Sequence, residues 1–316
     1  RTLDSFHRGL PPEFHMALTP LQKARMMLNP WRAWRERGWH TIDASTYAEI
    51  WQRYGGSVAT HPDVVERLAR LADIPVRYLA WEQQDEWVAA VPCWGRHLAL
   101  SKDVLKKTGK RGLFDLGNAE VILPVAEDAC VPVRQRLCYV SELNAGRIAT
   151  LREQPEGLAL ARQPEEYSKK FRYNQRRELR LFEEAGGVVR SVAEFTPAEL
   201  AAIYTDLFER RWGFEVPGKP HLTEVFGLLR EFLRGSLLML DGFPVAVQVL
   251  YSVESLGWIS YEYINGGVDP RAHHLSPGSV LSFINTQAAW DVARHRGKAL
   301  RYSFGRADRD YKDRWC

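Results

Sequence analysis

Gly267-Val268-Asp269-Pro270, Leu275-Ser276-Pro277-Gly278-Ser279-Val280-Leu281 and Phe304-Gly305-Arg306-Ala307-Asp308-Arg309-Asp310-Tyr311-Lys312 follow one another in the last fifty residues of the chain, and they decide how the rest is read. Residues 257–265 alternate with period two and predict a strand, 277–296 a helix, and 299–304 a second strand. A strand, a glycine-bearing loop, a helix and a strand in that order can set backbone N–H groups at a helix start, where they hold an anionic group such as a pyrophosphate. A phosphate-bearing acyl donor is therefore the first expectation. Ser276 as cap and Pro277 as the first helical residue are enough to explain the loop as a plain helix start. The functional reading adds that the N–H groups of Gly278, Ser279 and Val280 point out of the helix end at the positive pole of its dipole, with Arg271 nearby.

Working outward, residues 236–240 and 245–253 flank Asp241-Gly242, the signature of a hairpin turn. Helices are expected over 167–185, 196–212 and 223–233, with a strand at 188–192. The first of these helices carries Lys169, Lys170, Arg172, Arg176, Arg177 and Arg180, and Lys169, Arg172, Arg176 and Arg180 share one face. Only Glu178, Glu183 and Glu184 offset them, which favours a cleft wall meeting an anionic donor over an ordinary solvated face. In 258–264 the alternation puts Trp258, Ser260, Glu262 and Ile264 on one face and Tyr261 and Tyr263 on the other. Burial would raise the pKa of Glu262 and suit it to take a proton from an attacking ammonium; pairing with an arginine of the basic helix is the alternative. Arg306, Asp308, Asp310 and Lys312 crowd the end of the last strand, where a sheet commonly opens onto a ligand. A surface salt-bridge loop would look the same, but Gly305, Tyr311 and Trp315 around them favour a structured site.

The remaining sequence sets bounds. At 316 residues the chain has room for two cores and needs neither disulfide nor metal for stability. Cys93, Cys130, Cys138 and Cys316 show no paired spacing, and no metal site is expected. No run of about 18 apolar residues occurs, so a membrane-spanning helix is not expected. The net charge is +4, and residues 1–40 hold seven Lys/Arg against three acids, so the whole excess sits there. A neutral body argues against specific DNA binding. Thr19-Pro20 starts a helix that Asn29-Pro30 stops or kinks, and Trp31-Arg32-Ala33-Trp34-Arg35-Glu36-Arg37-Gly38-Trp39 mixes indoles with arginines. Residues 19–39 thus suit an anionic membrane surface, or else an arm whose tryptophans pack on the body. Helices at 44–54 and 62–72, strands at 77–81 and 86–95 and another at 119–125 make the N-terminal half a small α/β assembly. Residues 151–164, with two prolines, are the expected linker. The division is then 1–39, a basic Trp-rich arm; 40–155, an N-terminal domain; and 156–316, a C-terminal domain with the donor site.

Ser168-Lys169-Lys170-Phe171-Arg172-Tyr173-Asn174-Gln175-Arg176-Arg177, Asp241-Gly242-Phe243-Pro244-Val245-Ala246, Leu275-Ser276-Pro277-Gly278 and Phe304 to Lys312, in this order, resemble the second domain of FemAB-like members of the GNAT acyltransferase superfamily. That resemblance implies a mixed α/β fold of tandem GNAT-like domains, with acyl-CoA or aminoacyl-tRNA as co-substrate and no tightly bound cofactor. The full chain, including Pro30 to Trp39 and Trp51-Gln52-Arg53-Tyr54-Gly55-Gly56-Ser57, is similar to the Mig family, macrophage-induced-gene proteins of Gram-negative bacteria linked to resistance against cationic antimicrobial peptides and to the inner membrane. It implies a cytoplasmic protein peripheral on the inner membrane. The GNAT pyrophosphate loop usually carries a second glycine or alanine, and Leu275-Ser276-Pro277-Gly278-Ser279-Val280 keeps one. The expected roles are Arg172, Arg176, Arg271, Ser276, Gly278, Ser279 and Lys312 toward the donor, Glu262 or Asp308 as base, and Tyr311 as acid, with transfer to an amine acceptor of the envelope. The rival expectation is a non-catalytic GNAT-fold scaffold that binds membrane or peptide.

Overall fold

In a computed structural model of the chain, residues 30–152, 154, 156–307 and 312–316 are described. The chain divides between Arg37 and Gly38. Among the described residues before the division, α1 (Pro30–Arg35) is a short helix, with Arg32 paired to Glu36 and Trp34 exposed. The helix expected from Thr19 lies outside the described residues.

From Gly38 onward the class is mixed α/β, as the alternation of helical and strand periods requires. β1 (Trp39–Ile42) leads into α2 (Ala44–Tyr54), whose start is fixed by Asp43 accepting the Thr46 N–H at 2.7 Å. His61 and Pro62 open α3 (Pro62–Ala72), and β2 (Arg77–Gln83) turns through Gln84-Asp85 into β3 (Glu86–Trp94). Both turn residues have positive φ, the geometry that suits the twist of a two-residue hairpin. β4 (His97–Leu98) completes an antiparallel sheet of order β1-β2-β3-β4, and α4 (Lys102–Lys107) follows. The strand expected at 119–125 forms only isolated bridges, at Val121 and Val125. Side chains take three of its backbone donors: Glu262 accepts from Glu120 N–H, Ser57 Oγ from Ile122 N–H and Asn144 Oδ1 from Leu123 N–H, while Val121 N–H goes to the Tyr139 carbonyl at 2.8 Å.

The C-terminal half runs β5 (Leu158–Leu160), α5 (Lys169–Glu184), β6 (Val188–Ser191), α6 (Pro197–Trp212), α7 (Leu222–Leu228), β7 (Leu233–Leu240), β8 (Phe243–Glu254), β9 (Trp258–Val268), α8 (Pro277–Arg296) and β10 (Ala299–Arg306). Its six-stranded sheet has the order β5-β10-β9-β8-β7-β6. All neighbours are antiparallel except β9 and β10, which α8 connects as a parallel crossover. One apolar core joins the halves: Tyr47, Trp51, Val64 and Leu68 of α2 and α3 bury in the same cluster as Leu200, Leu207, Phe232 and Tyr251.

Candidate functional site

The β9–β10 ladder begins at Trp258↔Ala299 and stops at Glu262↔Ser303. Beyond that pair each strand follows its other neighbour. β9 carries a bulge where Val249↔Asn265 gives way to Leu250↔Tyr263, and β10 shifts register against β5 between Ser303 and Arg306, with Gly305 left-handed at φ 75°. Bulges bend strands and re-aim side chains, and two of them at the same level splay a parallel pair. A cavity of about 260 Å3 occupies this region, with Tyr263 and Phe304 on its strand walls, Gly278 and Ser279 at the start of α8, and Gln175 of α5.

Glycine pairing makes the room. A Cβ on Gly266 would lie 2.7 Å from the Val247 carbonyl oxygen and 3.2 Å from the Tyr263 hydroxyl, and one on Gly267 would lie 2.4 Å from the Leu207 carbonyl carbon. The pair therefore lets α6 lie directly on β9 and leaves the Tyr263 hydroxyl its place. Arg211 of α6 lines the same cavity, donating to the Gly266 carbonyl at 3.3 Å and stacking over Trp212. Burial raises the Tyr263 pKa, partly countered by the Arg211 guanidinium beside it, so the group stays a phenol at neutral pH. Beneath it a buried amide chain holds the wall: Ser236 donates to Asn285, Asn285 to Gln248 at 2.6 Å, and Gln248 to Ser282 at 3.3 Å.

At the helix start the geometry corrects two expectations. Ser276 is itself left-handed, at φ 51°, and its side chain makes no capping bond. Its carbonyl accepts the N–H groups of Ser279 and Val280 at 3.0 and 3.1 Å, so of the three N–H groups expected to be free only that of Gly278 has no backbone partner among the described residues. A Cβ on Gly278 would meet nothing within 4 Å, which places its Cα at open space. Ser279 Oγ donates to Gln175 Oε1 at 3.0 Å and ties α8 to α5.

A second cavity of about 290 Å3 lies between those two helices, lined by Arg172 and Arg176 of α5 and by Tyr167, Phe283 and Trp290. It shares Phe171, Gln175 and Trp315 with the first, so the two have a common wall. Trp315 is buried, its backbone carbonyl accepts from the Tyr167 hydroxyl at 2.6 Å, and its ring meets Phe171 edge-on at 5.3 Å. Neither Arg172 nor Arg176 forms an ion pair among the described residues. Of the four cations expected on one face, Arg172 and Arg176 line this cavity against the stretch of α8 from Phe283 to Trp290, one shared wall away from the helix start, and Arg180 pairs with Glu184 at 3.6 Å.

Other expected residues are placed elsewhere. Glu262 faces away from both cavities, 1% exposed, where it accepts the Glu120 N–H at 3.0 Å. Its pKa is raised well above the usual range by burial first and by the Glu120 carboxylate second, while its nearest cation, Arg301, is paired with Glu120 and not supplied by the basic helix. Arg271 forks onto Asp269, at 2.7 Å for its closest contact, and lines neither cavity. That guanidinium holds the Asp269 carboxyl down to about 2. Lys312 is buried and donates to the Arg306 carbonyl, so it braces the C-terminal turn and does not reach the cavities. Asp308 and Tyr311 lie outside the described residues. Arg211, Tyr263, Gln175 and Gln248 were not anticipated; the alternation did set Tyr263 on the face opposite Glu262, and that was the available signal. Among the described residues, no Asp or Glu lines either cavity and no cluster of metal-ligating groups occurs.

Fold and site together define a mixed α/β protein with a helix start set at a splayed parallel strand pair. The chain belongs to the Mig-14 family, whose profile matches residues 61–316. No curated protein matches it. Among solved structures it is similar to FemX, at 11% identity and a TM-score of 0.49 over 86% of this chain and 89% of that one. It is also similar to the C-terminal domain of a putative lysylphosphatidylglycerol synthetase from Agrobacterium fabrum, at 14% identity and a TM-score of 0.40 over 84% and 80% of the two chains. No described helix is long and apolar enough to cross a membrane.

Proposed function

We propose that the chain transfers an acyl or aminoacyl group from a phosphate-bearing donor to an amine acceptor of the cell envelope, and that this supports resistance to cationic antimicrobial peptides in a Gram-negative host. The observation that carries the proposal is the junction of two cavities, one at the start of α8 and one flanked by two arginines that have no ion pair among the described residues. The donor phosphates would lie toward Arg172, Arg176 and the Gly278 N–H, and the acyl carbonyl near Tyr263. The acceptor amine attacks that carbonyl, the new C–N bond forms, and the bond to the donor sulfur or oxygen breaks. Tyr263 gives its proton to the leaving atom and recovers one from the ammonium formed, so the step balances without a carboxylate. In the same reading residues 19–39 dock on the anionic face of the inner membrane, bringing the site to its acceptor.

Calorimetric titration with acetyl-CoA, a longer acyl-CoA and an aminoacyl-tRNA, each against Gly278→Trp, tests the donor site. A Cβ at Gly278 meets nothing within 4 Å, so the backbone tolerates a side chain there, and the bulk of an indole at a residue lining the cavity competes with the donor. Saturable binding that the substitution removes is the expected result, and no binding to any donor would overturn the proposal. The absence of an acidic side chain from the described lining favours a second reading, a scaffold without turnover; binding without product on any amine would select it.

A further inference from the structure

A third cavity, of about 330 Å3, opens in the N-terminal half between the loop after β4 and the segments 114–121 and 136–139. It shares no lining residue with the two cavities at the sheet splay, so a ligand bound in it stands or falls independently of the transferase reading. Its volume lies at the lower end of the range of ligand pockets, roughly 300–1,000 Å3. Leu98, Phe114, Leu116 and Val121 give it a buried apolar interior.

Two of its wall residues, Leu100 at φ 66° and Tyr139 at φ 57°, hold left-handed backbone. A Cβ disfavours that conformation, and residues kept in it gather where a ligand is gripped. Each is locked in place. Leu100 is buried in the core, and the Tyr139 hydroxyl donates at 2.9 Å to Glu156, which Arg306 holds in turn. At the exposed edge Lys102 is neutralised by Asp115 at 3.1 Å. Arg136 and Asp103 line the same opening, and neither forms an ion pair among the described residues. One unspent cation and one unspent anion therefore face an apolar pocket.

We propose that this cavity binds a zwitterionic amphiphile, with its apolar body among Leu98, Phe114, Leu116 and Val121, its acidic group on Arg136 and its ammonium on Asp103. An amino acid with a large apolar side chain and a single-chain aminophospholipid share that chemistry. Cys138 lines the cavity and is exposed, and Cys130 is exposed but is not part of the lining, so the protein carries its own reporter and control. The rate of maleimide labelling at each cysteine, read by peptide mass spectrometry on the full chain, would be followed against phenylalanine, lysophosphatidylethanolamine below its micelle threshold, dodecylamine and dodecanoate. One of the two zwitterions is expected to protect Cys138 and leave Cys130 unchanged, and which one does so identifies the source. Arg136→Gln and Asp103→Asn, both at exposed positions, are expected to raise the half-protecting concentration about tenfold each, the loss of one charge-assisted contact. Protection by neither zwitterion, equal protection by a singly charged chain, or protection indifferent to both substitutions would each overturn the proposal.

Discussion

Replacing Glu262 by glutamine and by alanine separates a structural carboxyl from a catalytic one. The side chain sits 1% exposed between β9 and the segment at Glu120, accepts the Glu120 N–H at 3.0 Å and bonds Ser303. Its folded pKa is raised above 4.5 by burial and by the neighbouring carboxylate. A raised pKa means that its contribution to stability is complete below 4.5 and is lost as pH rises through the folded value. Glutamine keeps a carbonyl for the Glu120 N–H and cannot ionise, so Glu262→Gln should lie within about 1 kcal/mol of the parent near pH 5 and gain on it as pH climbs. Alanine leaves the buried Glu120 N–H unpaired and frees the Ser303 hydroxyl proton, whose oxygen still accepts the Gly305 N–H at 3.0 Å, about 1–3 kcal/mol for the first and less for the second, and adds a cavity, for a loss of roughly 3–5 kcal/mol. Urea unfolding at pH 5, 7 and 9 reads both variants, with unchanged slopes confirming that midpoints report stability. The reasoning fails if glutamine costs as much as alanine at pH 7, or if the parent gains on glutamine as pH rises, since either result requires an ionised carboxylate held by Arg301. Loss of turnover in a stable Glu262→Gln would restore the catalytic expectation.

Tyr263→Phe should keep donor affinity in calorimetry and lower kcat about 10²–10⁴-fold, the usual worth of a positioned proton donor; unchanged kcat would remove Tyr263 from the chemistry. Arg172→Ala and Arg176→Ala should each weaken donor binding about tenfold or more with kcat little changed, read as a rise in KM and in the calorimetric Kd. His61, set against Trp51 and Phe232 where the halves meet, has its pKa lowered to about 4 by burial despite Asp63 and Glu231. A lowered pKa on a base gives stability that is complete above 6.5 and lost as pH falls toward 4, so the parent should lose up to about 3 kcal/mol over that window that His61→Asn does not lose, measured by unfolding midpoints. Gly267→Ala puts a Cβ 2.5 Å from Phe208 N, and it should cost about 3 kcal/mol by pushing α6 off β9; a neutral melting temperature would show that the helix has slack.

The elements of the C-terminal half were legible because their periods and caps agree. Pro277–Arg296 was expected with the same bounds, since a proline start, an apolar stripe and Gly297 mark both ends. Segment 119–125 misled because its apolar alternation is real while three of its backbone donors go to Ser57, Asn144 and Glu262 and only isolated bridges remain, and no sequence pattern reports which partner takes a backbone donor. The same gap hides the shared core. Val64 and Leu68 display a helical stripe, but a stripe does not say that the element buried against it lies more than a hundred residues away.

The site was less legible than the fold for a geometric reason. A period-two reading assigns faces along an unbroken strand, and within the site a bulge on β9 and a register shift on β10 reset those faces. Before the bulge Glu262 points to the interface of the halves and Tyr263, by ordinary alternation, to the cavity; the extra residue Ile264 then brings Gly266 onto the Tyr263 face, and on β10 Phe304, next to the left-handed Gly305, walls the same cavity. The three glycines at 266, 267 and 305 were the available signal, because glycine inside a strand marks a bulge or a close backbone approach. On that signal the cavity falls on β9 and β10 before any motif at the helix start is considered, and Gly278 then supplies only its second wall.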